Sequence, residues 1–224
     1  MDTLIKINNL CKYYGNKNSR VDILNNINLE IYNGEFLVIM GKSGSGKSTL
    51  LNIIATIDKG NSGEVIMNGE NLEKFSPSKS NDFRRENLGF IFQDFKLLDT
   101  MNVKENVAVP LLLKKENINT INKKIDEILE RLEISYLKDK RIFEISGGEK
   151  QRVACARAII GNPKLIIADE PTGALDSKSS EIVMNLLKKI NKEFNTTLIM
   201  VTHDKNIANY GDRVIEIKDG SIKG

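Results

Sequence analysis

The stretch Phe36-Leu37-Val38-Ile39-Met40-Gly41-Lys42-Ser43-Gly44-Ser45-Gly46-Lys47-Ser48-Thr49 decides how this 224-residue chain is read. Its first half is a short apolar run that predicts a buried strand, and the run ends on the pattern G-x-x-x-x-G-K-S. Glycines at that spacing let successive backbone N–H groups turn inward around an anion, and a helix starting near Ser48 adds its positive end. Lys47 is then expected to reach the β- and γ-phosphates of a nucleotide, and the Ser48 hydroxyl to ligate Mg2+. Gly41, Lys42, Ser43, Gly44, Ser45, Gly46, Lys47, Ser48 and Thr49 form the candidate nucleotide-binding set. The plain alternative is a Gly/Ser surface turn, which leaves the strand in front and the helix behind as coincidences.

On either side, short runs rich in Ile and Val at Leu24 to Ile31, Val65 to Met67 and Leu88 to Phe92 read as further strands, as do Leu165 to Ala168, Leu198 to Val201 and Val214 to Ile217. Asp176 to Phe194 reads as a helix, because Ile182, Val183, Leu186, Leu187, Ile190 and Phe194 recur at helical spacing behind an Asp/Ser start. Strands alternating with helices predict an α/β fold around a mostly parallel, covered sheet. Two regions depart from that pattern. Asn68-Gly69 after Val65-Ile66-Met67 predicts a tight hairpin in an N-terminal antiparallel part. Val103 to Ile160 holds no convincing strand, but Ile121, Ile125, Ile128, Leu129 and Leu132 share one helical face. The expected organisation is one domain over residues 1–224 with an inserted helical subdomain near 94–160. The polar stretch Ser76 to Asp82 reads as a loop leading into a short helix.

Composition narrows the partners. Lysine and arginine number 33 against 30 aspartates and glutamates, and a net charge of +3 is too small to call for nucleic acid. Cys11 and Cys155 stand far apart with no Cys/His cluster, so neither a zinc site nor a disulfide framework is implied. The start Met1-Asp2-Thr3-Leu4-Ile5-Lys6 lacks the pattern of a secretion signal. No apolar run approaches the roughly 18 residues that span a bilayer, so the chain is not expected to cross the membrane itself, and the cysteine usage makes a reducing cytosol its expected home.

Further chemistry lies downstream. Leu165-Ile166-Ile167-Ala168-Asp169-Glu170 is an apolar strand ending in two carboxylates, an expensive place for paired charge unless a cation or substrate uses it. Asp169 fits a Mg2+ contact and Glu170 the group that polarises an attacking water, while a helix-capping role remains open for both. Ser146-Gly147-Gly148-Glu149 before an amphipathic segment reads either as a second anion-binding helix start or as an ordinary serine cap. His203, the one histidine in the chain, follows a strand and would be incidental by itself. Tyr13 and Tyr14 offer an aromatic face for a base, or simply packing.

The order of these elements resembles that of the ATP-binding-cassette (ABC) ATPase family across essentially the whole chain: the phosphate loop, Gln93, Ser146 to Glu149, Asp169-Glu170, Ala174-Leu175-Asp176, then His203. The resemblance implies a P-loop NTPase fold with a RecA-like core, an antiparallel β subdomain and an inserted α-helical subdomain. It implies ATP and Mg2+ as ligands, with Gln93 contacting Mg2+ and sensing a membrane partner. Ser146, Gly147, Gly148 and Glu149 would bind the γ-phosphate held by a second copy of the chain in a head-to-tail dimer. Glu170, His203, Lys47 and Gln93 become the catalytic set, Tyr14 the adenine platform, and Asp176 a link between the two sites. Ile145 replaces a usual leucine and Glu149 stands where many relatives carry glutamine, and neither change removes a phosphate donor.

Gly89-Phe90-Ile91-Phe92-Gln93, Asn106-Val107 with Pro110, and Asp169 to Asp176 together resemble the macrolide-export and lipoprotein-release branch, and Phe92-Gln93-Asp94-Phe95 followed by Leu97-Leu98-Asp99-Thr100 is most similar to bacitracin-type peptide-resistance transporters. That likeness implies a separate permease of the FtsX-like type as partner. A cell-division regulator of the same superfamily is the alternative. A soluble ABC ATPase of DNA repair or translation would need a long coiled-coil insert or a second cassette, and a nucleotide kinase would leave Ser146 to Glu149 unexplained.

Overall fold

A computed structural model of the chain describes residues 2–16 and 19–223. In chain order it forms β1 (Thr3–Tyr14), β2 (Val21–Tyr32), β3 (Phe36–Met40), α1 (Lys47–Ile54), β4 (Ser62–Met67), β5 (Glu70–Asn71) and α2 (Pro77–Asn87). There follow β6 (Leu88–Phe92), α3 (Val103–Leu113), α4 (Ile118–Arg131), α5 (Gly147–Ile159), β7 (Leu165–Asp169) and α6 (Ser177–Glu193). The chain ends with β8 (Thr197–Thr202), α7 (Lys205–Ala208), β9 (Arg213–Lys218) and β10 (Ser221–Lys223). Two compact units emerge, Met1–Arg84 together with Thr197–Gly224, and Arg85–Thr196.

The first unit contains an antiparallel sheet in which β1 pairs with β2 and β4, and β4 turns into β5 through the expected hairpin. Asn68 and Gly69 both take positive φ there, 50° and 80°, as a tight two-residue turn requires. β1 was not anticipated as a strand. Its buried Leu4, Ile5, Ile7 and Leu10 do not keep a period of two, because the register shifts between Ile7 and Leu10, where Asn9 takes φ 50°. The second sheet of this unit is built on β3, which pairs in parallel with β8 on one side and β9 on the other, with β10 antiparallel beyond β9. Every residue of β8 is buried, which is why it reads as a continuous apolar run.

In the second unit β6 and β7 pair in parallel, with Phe92 opposite Asp169. α5 packs on β6, and α3 and α6 pack on α5. α4 buries Ile121, Ile125, Ile128 and Leu129, the face expected from the sequence, and Leu132 follows at its C-cap. α6 begins just after Asp176, whose side chain accepts from the Ser179 N–H.

One expectation needs correction. The stretch Ser76 to Asp82 is helical from Pro77, because the Ser76 hydroxyl accepts from the Lys79 N–H and proline suits a first helical position. Among the described residues no helix is long and apolar enough to cross a membrane.

Candidate functional site

Within the first unit, β3 is buried up to Ile39 and delivers the chain to Gly41. At φ +156° a Cβ on Gly41 would lie 2.3 Å from the Ile217 carbonyl oxygen and 2.6 Å from Ser45 Oγ. At φ +104° a Cβ on Gly46 would lie 2.7 Å from the Ile23 carbonyl oxygen. Only glycine fits either place, and the tight wrap lets α1 start directly at Lys47. No side chain caps α1, and its first turn holds no acidic residue, so its positive end is not neutralised by a side chain of its own.

Lys47 is 7% exposed, and its Nζ donates to the carbonyls of Gly41 and Lys42 at 2.8 Å each. Among the described residues no carboxylate pairs with this ammonium. A buried cation met by carbonyl dipoles without a counter-ion is an attractor for an anion. The neighbouring Ser45 hydroxyl is also buried and has no hydrogen-bond partner among the described residues. Lys42, Ser43, Gly44 and Ser48 are exposed around this cradle, and Thr49 is half-buried. Nucleotide phosphates would meet the helix end, the ammonium and the orphaned hydroxyl together.

Two more candidates stand in the same unit. β8 runs parallel to β3 with Thr202 opposite Met40, so His203 and Gly41 leave neighbouring strand ends. His203 is exposed, and the Asp204 that follows it accepts from the Asn206 N–H to start α7. Tyr14, at the end of β1, donates its hydroxyl to Asp58 Oδ2 at 2.6 Å, and the Lys12 ammonium lies 4.6 Å from its ring centre. The hydrogen bond to Asp58 raises the phenol's pKa above its ordinary value, with burial in support and the Thr49 hydroxyl acting against it. Burial alone would push the Asp58 carboxyl up, but the Lys12 ammonium and the Tyr14 hydroxyl outweigh it and hold the pKa below the usual carboxylate range. Tyr14, 47% exposed, is therefore fixed beside Thr49, whereas the Tyr13 ring is covered by Arg20 at 4.1 Å.

Within the second unit, the pairing of Phe92 with Asp169 makes Gln93 and Glu170 the next residues on neighbouring strands. Glu170 takes φ 47°, a left-handed conformation that a non-glycine residue keeps only when its surroundings impose it. The turn after it closes with the Gly173 N–H donating to the Glu170 carbonyl at 3.0 Å. Gln93 lies against that turn, for a Cβ on Gly173 would come 2.9 Å from Gln93 Cδ. Ser146 caps α5 in a reciprocal box. Its hydroxyl accepts from the Glu149 N–H at 3.3 Å, and Glu149 Oε2 accepts from the Ser146 N–H at 2.8 Å. The Ser146 N–H is the main cause that lowers the Glu149 pKa, and Glu149 Oε1 accepts from the Tyr136 hydroxyl at 3.0 Å. One carboxylate oxygen thus serves the cap and the other is held by Tyr136. The Gly147 and Gly148 backbone comes near the turn before α6 and the start of α6, since a Cβ on Gly147 would lie 3.5 Å from Leu175 Cδ2 and one on Gly148 would lie 3.0 Å from Ser179 Oγ.

The candidates therefore gather in two groups: Tyr14, Gly41 to Thr49 and His203 in the first unit, and Gln93, Ser146 to Glu149, Asp169, Glu170 and Asp176 in the second. Sequence reading missed Lys12 and Asp58 behind Tyr14, and Gln151 and Arg157 on α5. The only signal for the latter two was polar side chains set among the apolar residues of α5. Among the described residues no group of three or more His, Cys, Asp or Glu could hold a metal ion. Ser48, Gln93 and Asp169 offer oxygen alone, the donor type Mg2+ takes together with substrate phosphates and water.

A family profile described as ABC transporter matches residues 24–173. The bacitracin export ATP-binding protein BceA of Halalkalibacterium halodurans is 44% identical over 219 residues, covering 98% of this chain and 87% of that protein. The macrolide export ATP-binding/permease protein MacB of Campylobacter jejuni is 43% identical over 219 residues, covering 98% of this chain and 33% of that protein. Among solved structures, a dimeric post-hydrolysis state of the ATP-binding cassette MJ0796 of Methanocaldococcus jannaschii, bound to ADP and Pi, superposes with a TM-score of 0.88 at 41% identity. That match covers 98% of this chain and 97% of the other.

Proposed function

Since the chain belongs to the ABC transporter family, as an ATP-hydrolysing subunit of P-loop α/β fold, we propose that two copies close head to tail over two ATP molecules and drive a separate membrane permease. The permease is of the FtsX-like type and holds the chain at the cytoplasmic face of the membrane. The transporter removes or senses antimicrobial peptides of the bacitracin kind. The observation that carries the ATP reading is the buried Lys47 ammonium, held by two carbonyls beside the uncapped start of α1. The peptide reading is supported by the 44% identity to a bacitracin export protein.

In this reading Lys47 and the loop N–H groups bind the β- and γ-phosphates, and His203 steadies the γ-phosphate. Glu170 accepts the proton of the attacking water as its oxygen bonds to the γ-phosphorus and the bond to the ADP oxygen breaks. Tyr14 supports the adenine. Ser146, Gly147 and Gly148 of the second copy complete the phosphate shell from an anion-ready helix start. When bound, Mg2+ supplies a compact positive charge against the phosphate oxygens, and Ser48, Gln93 and Asp169 are the residues that would hold it.

The test uses Glu170→Gln. The purified variant should bind ATP like the wild type and turn over at least about 100-fold more slowly. Returned to cells lacking the subunit, it should fail to restore survival in bacitracin-type peptides where the wild type succeeds. Wild-type turnover in the variant would remove Glu170 from its role. Equal peptide survival with and without the subunit would leave the ATPase standing and remove the peptide reading.

A further inference from the structure

The loop that follows Gln93 has an unusual backbone. Phe95 and Lys96 take φ 59° and 48° in succession, a left-handed pair with no glycine to ease it. One side chain on α5 meets both residues: Arg157 donates from Nη1 to the Lys96 carbonyl at 2.6 Å and from Nη2 to the Phe95 carbonyl at 2.9 Å. No carboxylate among the described residues pairs with this half-buried guanidinium, so its charge serves those two carbonyls. Gln151, fully buried on the same helix, donates to the Phe92 carbonyl at 3.3 Å, just before Gln93. At the far end Asn106, 0% exposed, accepts from the Leu98 N–H at 2.7 Å and donates to the carbonyls of Leu98 and Asn102. The start of α5 is also in touch with the loop, since a Cβ on Gly147 would sit 3.8 Å from Phe95 Cζ.

We propose that Arg157 is a positioning residue that locks the loop after Gln93 onto α5, so that the Gln93 amide and the Ser146 to Gly148 helix start move as one piece. A planar fork satisfies two consecutive carbonyls at once, which a lysine or an apolar side chain cannot do. The left-handed pair needs such an external hold, because the isolated backbone would relax away from it. A push on Phe95 to Leu98 is then carried to the signature segment, and a change at the signature segment is carried to Gln93. The functional half of this inference rests on the proposed contact of Gln93 with Mg2+.

The full-length chain tests it with Arg157→Met, Arg157→Lys and, as reference, Gln93→Ala. Trypsin cuts after Lys96, so release of the loop is read directly by mass spectrometry of the fragments. Arg157→Met, which also removes the site after residue 157, should be cut at Lys96 about tenfold faster, with the remaining sites unchanged. Its ATPase should need about tenfold more Mg2+ for half-maximal rate, approaching Gln93→Ala. Arg157→Lys, which reaches one carbonyl, should fall between. If Arg157→Met is cut faster at every site, Arg157→Lys decides by the same criteria. Wild-type cleavage at Lys96 overturns the lock. Faster cleavage with an unchanged Mg2+ requirement, where Gln93→Ala raises it, overturns the positioning role. A wild-type Mg2+ requirement in Gln93→Ala itself removes the reading of Gln93 and leaves the lock to stand or fall on cleavage alone.

Discussion

In the proposed reading Lys47 is a residue kept for function rather than for stability. The residue is 7% exposed and its ammonium has two carbonyls for company, and desolvating a cation for such partners offers the fold little. Lys47→Met keeps the length and the apolar stem. Without nucleotide its Tm should stay within about 3 °C of the wild type, while ATP affinity in a titration falls at least about 100-fold. Normal affinity would contradict the phosphate-loop reading, and a large loss of Tm would make Lys47 a structural residue. Tyr14 teaches a related lesson. Its ring is set by Asp58, 44 residues away, and that carboxylate is in turn held by Lys12, 46 residues away. The phosphate loop was legible because its chemistry sits in consecutive residues. The Tyr14 cluster and Arg157 were not, since their partners become neighbours only when the chain folds, 61 and 62 residues apart for the two Arg157 bonds.

Among the elements, α5 carries the clearest electrostatic prediction. Ser146 and Glu149 close a reciprocal cap, and the Ser146 N–H chiefly lowers the Glu149 pKa. A carboxyl whose folded pKa lies below its unfolded value stabilises the fold above the unfolded value, and that contribution is lost as pH falls through the folded one. Glu149→Ala should therefore melt earlier than the wild type near neutral pH, with the gap closing well below about pH 4. A gap that is constant across that range would mean the cap does not depend on the carboxylate's charge. Element by element, β3, β6, β7, β8 and α6 were legible because each is a continuous apolar run or keeps a helical period. β1 was not, since the shift around Asn9 breaks its alternation. α2 was read late because it is almost wholly polar and buries only Ser80, leaving Ser76-Pro77 as the signal for its start.

For the whole molecule, the chemistry expected of one ATP site is divided. The phosphate loop belongs to one compact unit, and the carboxylates and the Ser146 helix start belong to the other. In the proposed dimer the phosphate loop of each copy is completed by the Ser146 to Gly148 segment of its partner, so neither copy hydrolyses ATP alone. Gly147→Asp is a selective way to spoil that segment. It adds a negative charge at a helix start, which suits the helix but repels a phosphate, and a Cβ there meets nothing closer than 3.5 Å. Lys47→Met spoils the loop and leaves the segment whole. The most direct test mixes the two inactive variants in equal amounts and measures ATP turnover. Random pairing gives heterodimers with one composite site intact, so turnover should return to about a quarter of the wild-type rate, whereas a mixture as inactive as its components would contradict the shared site.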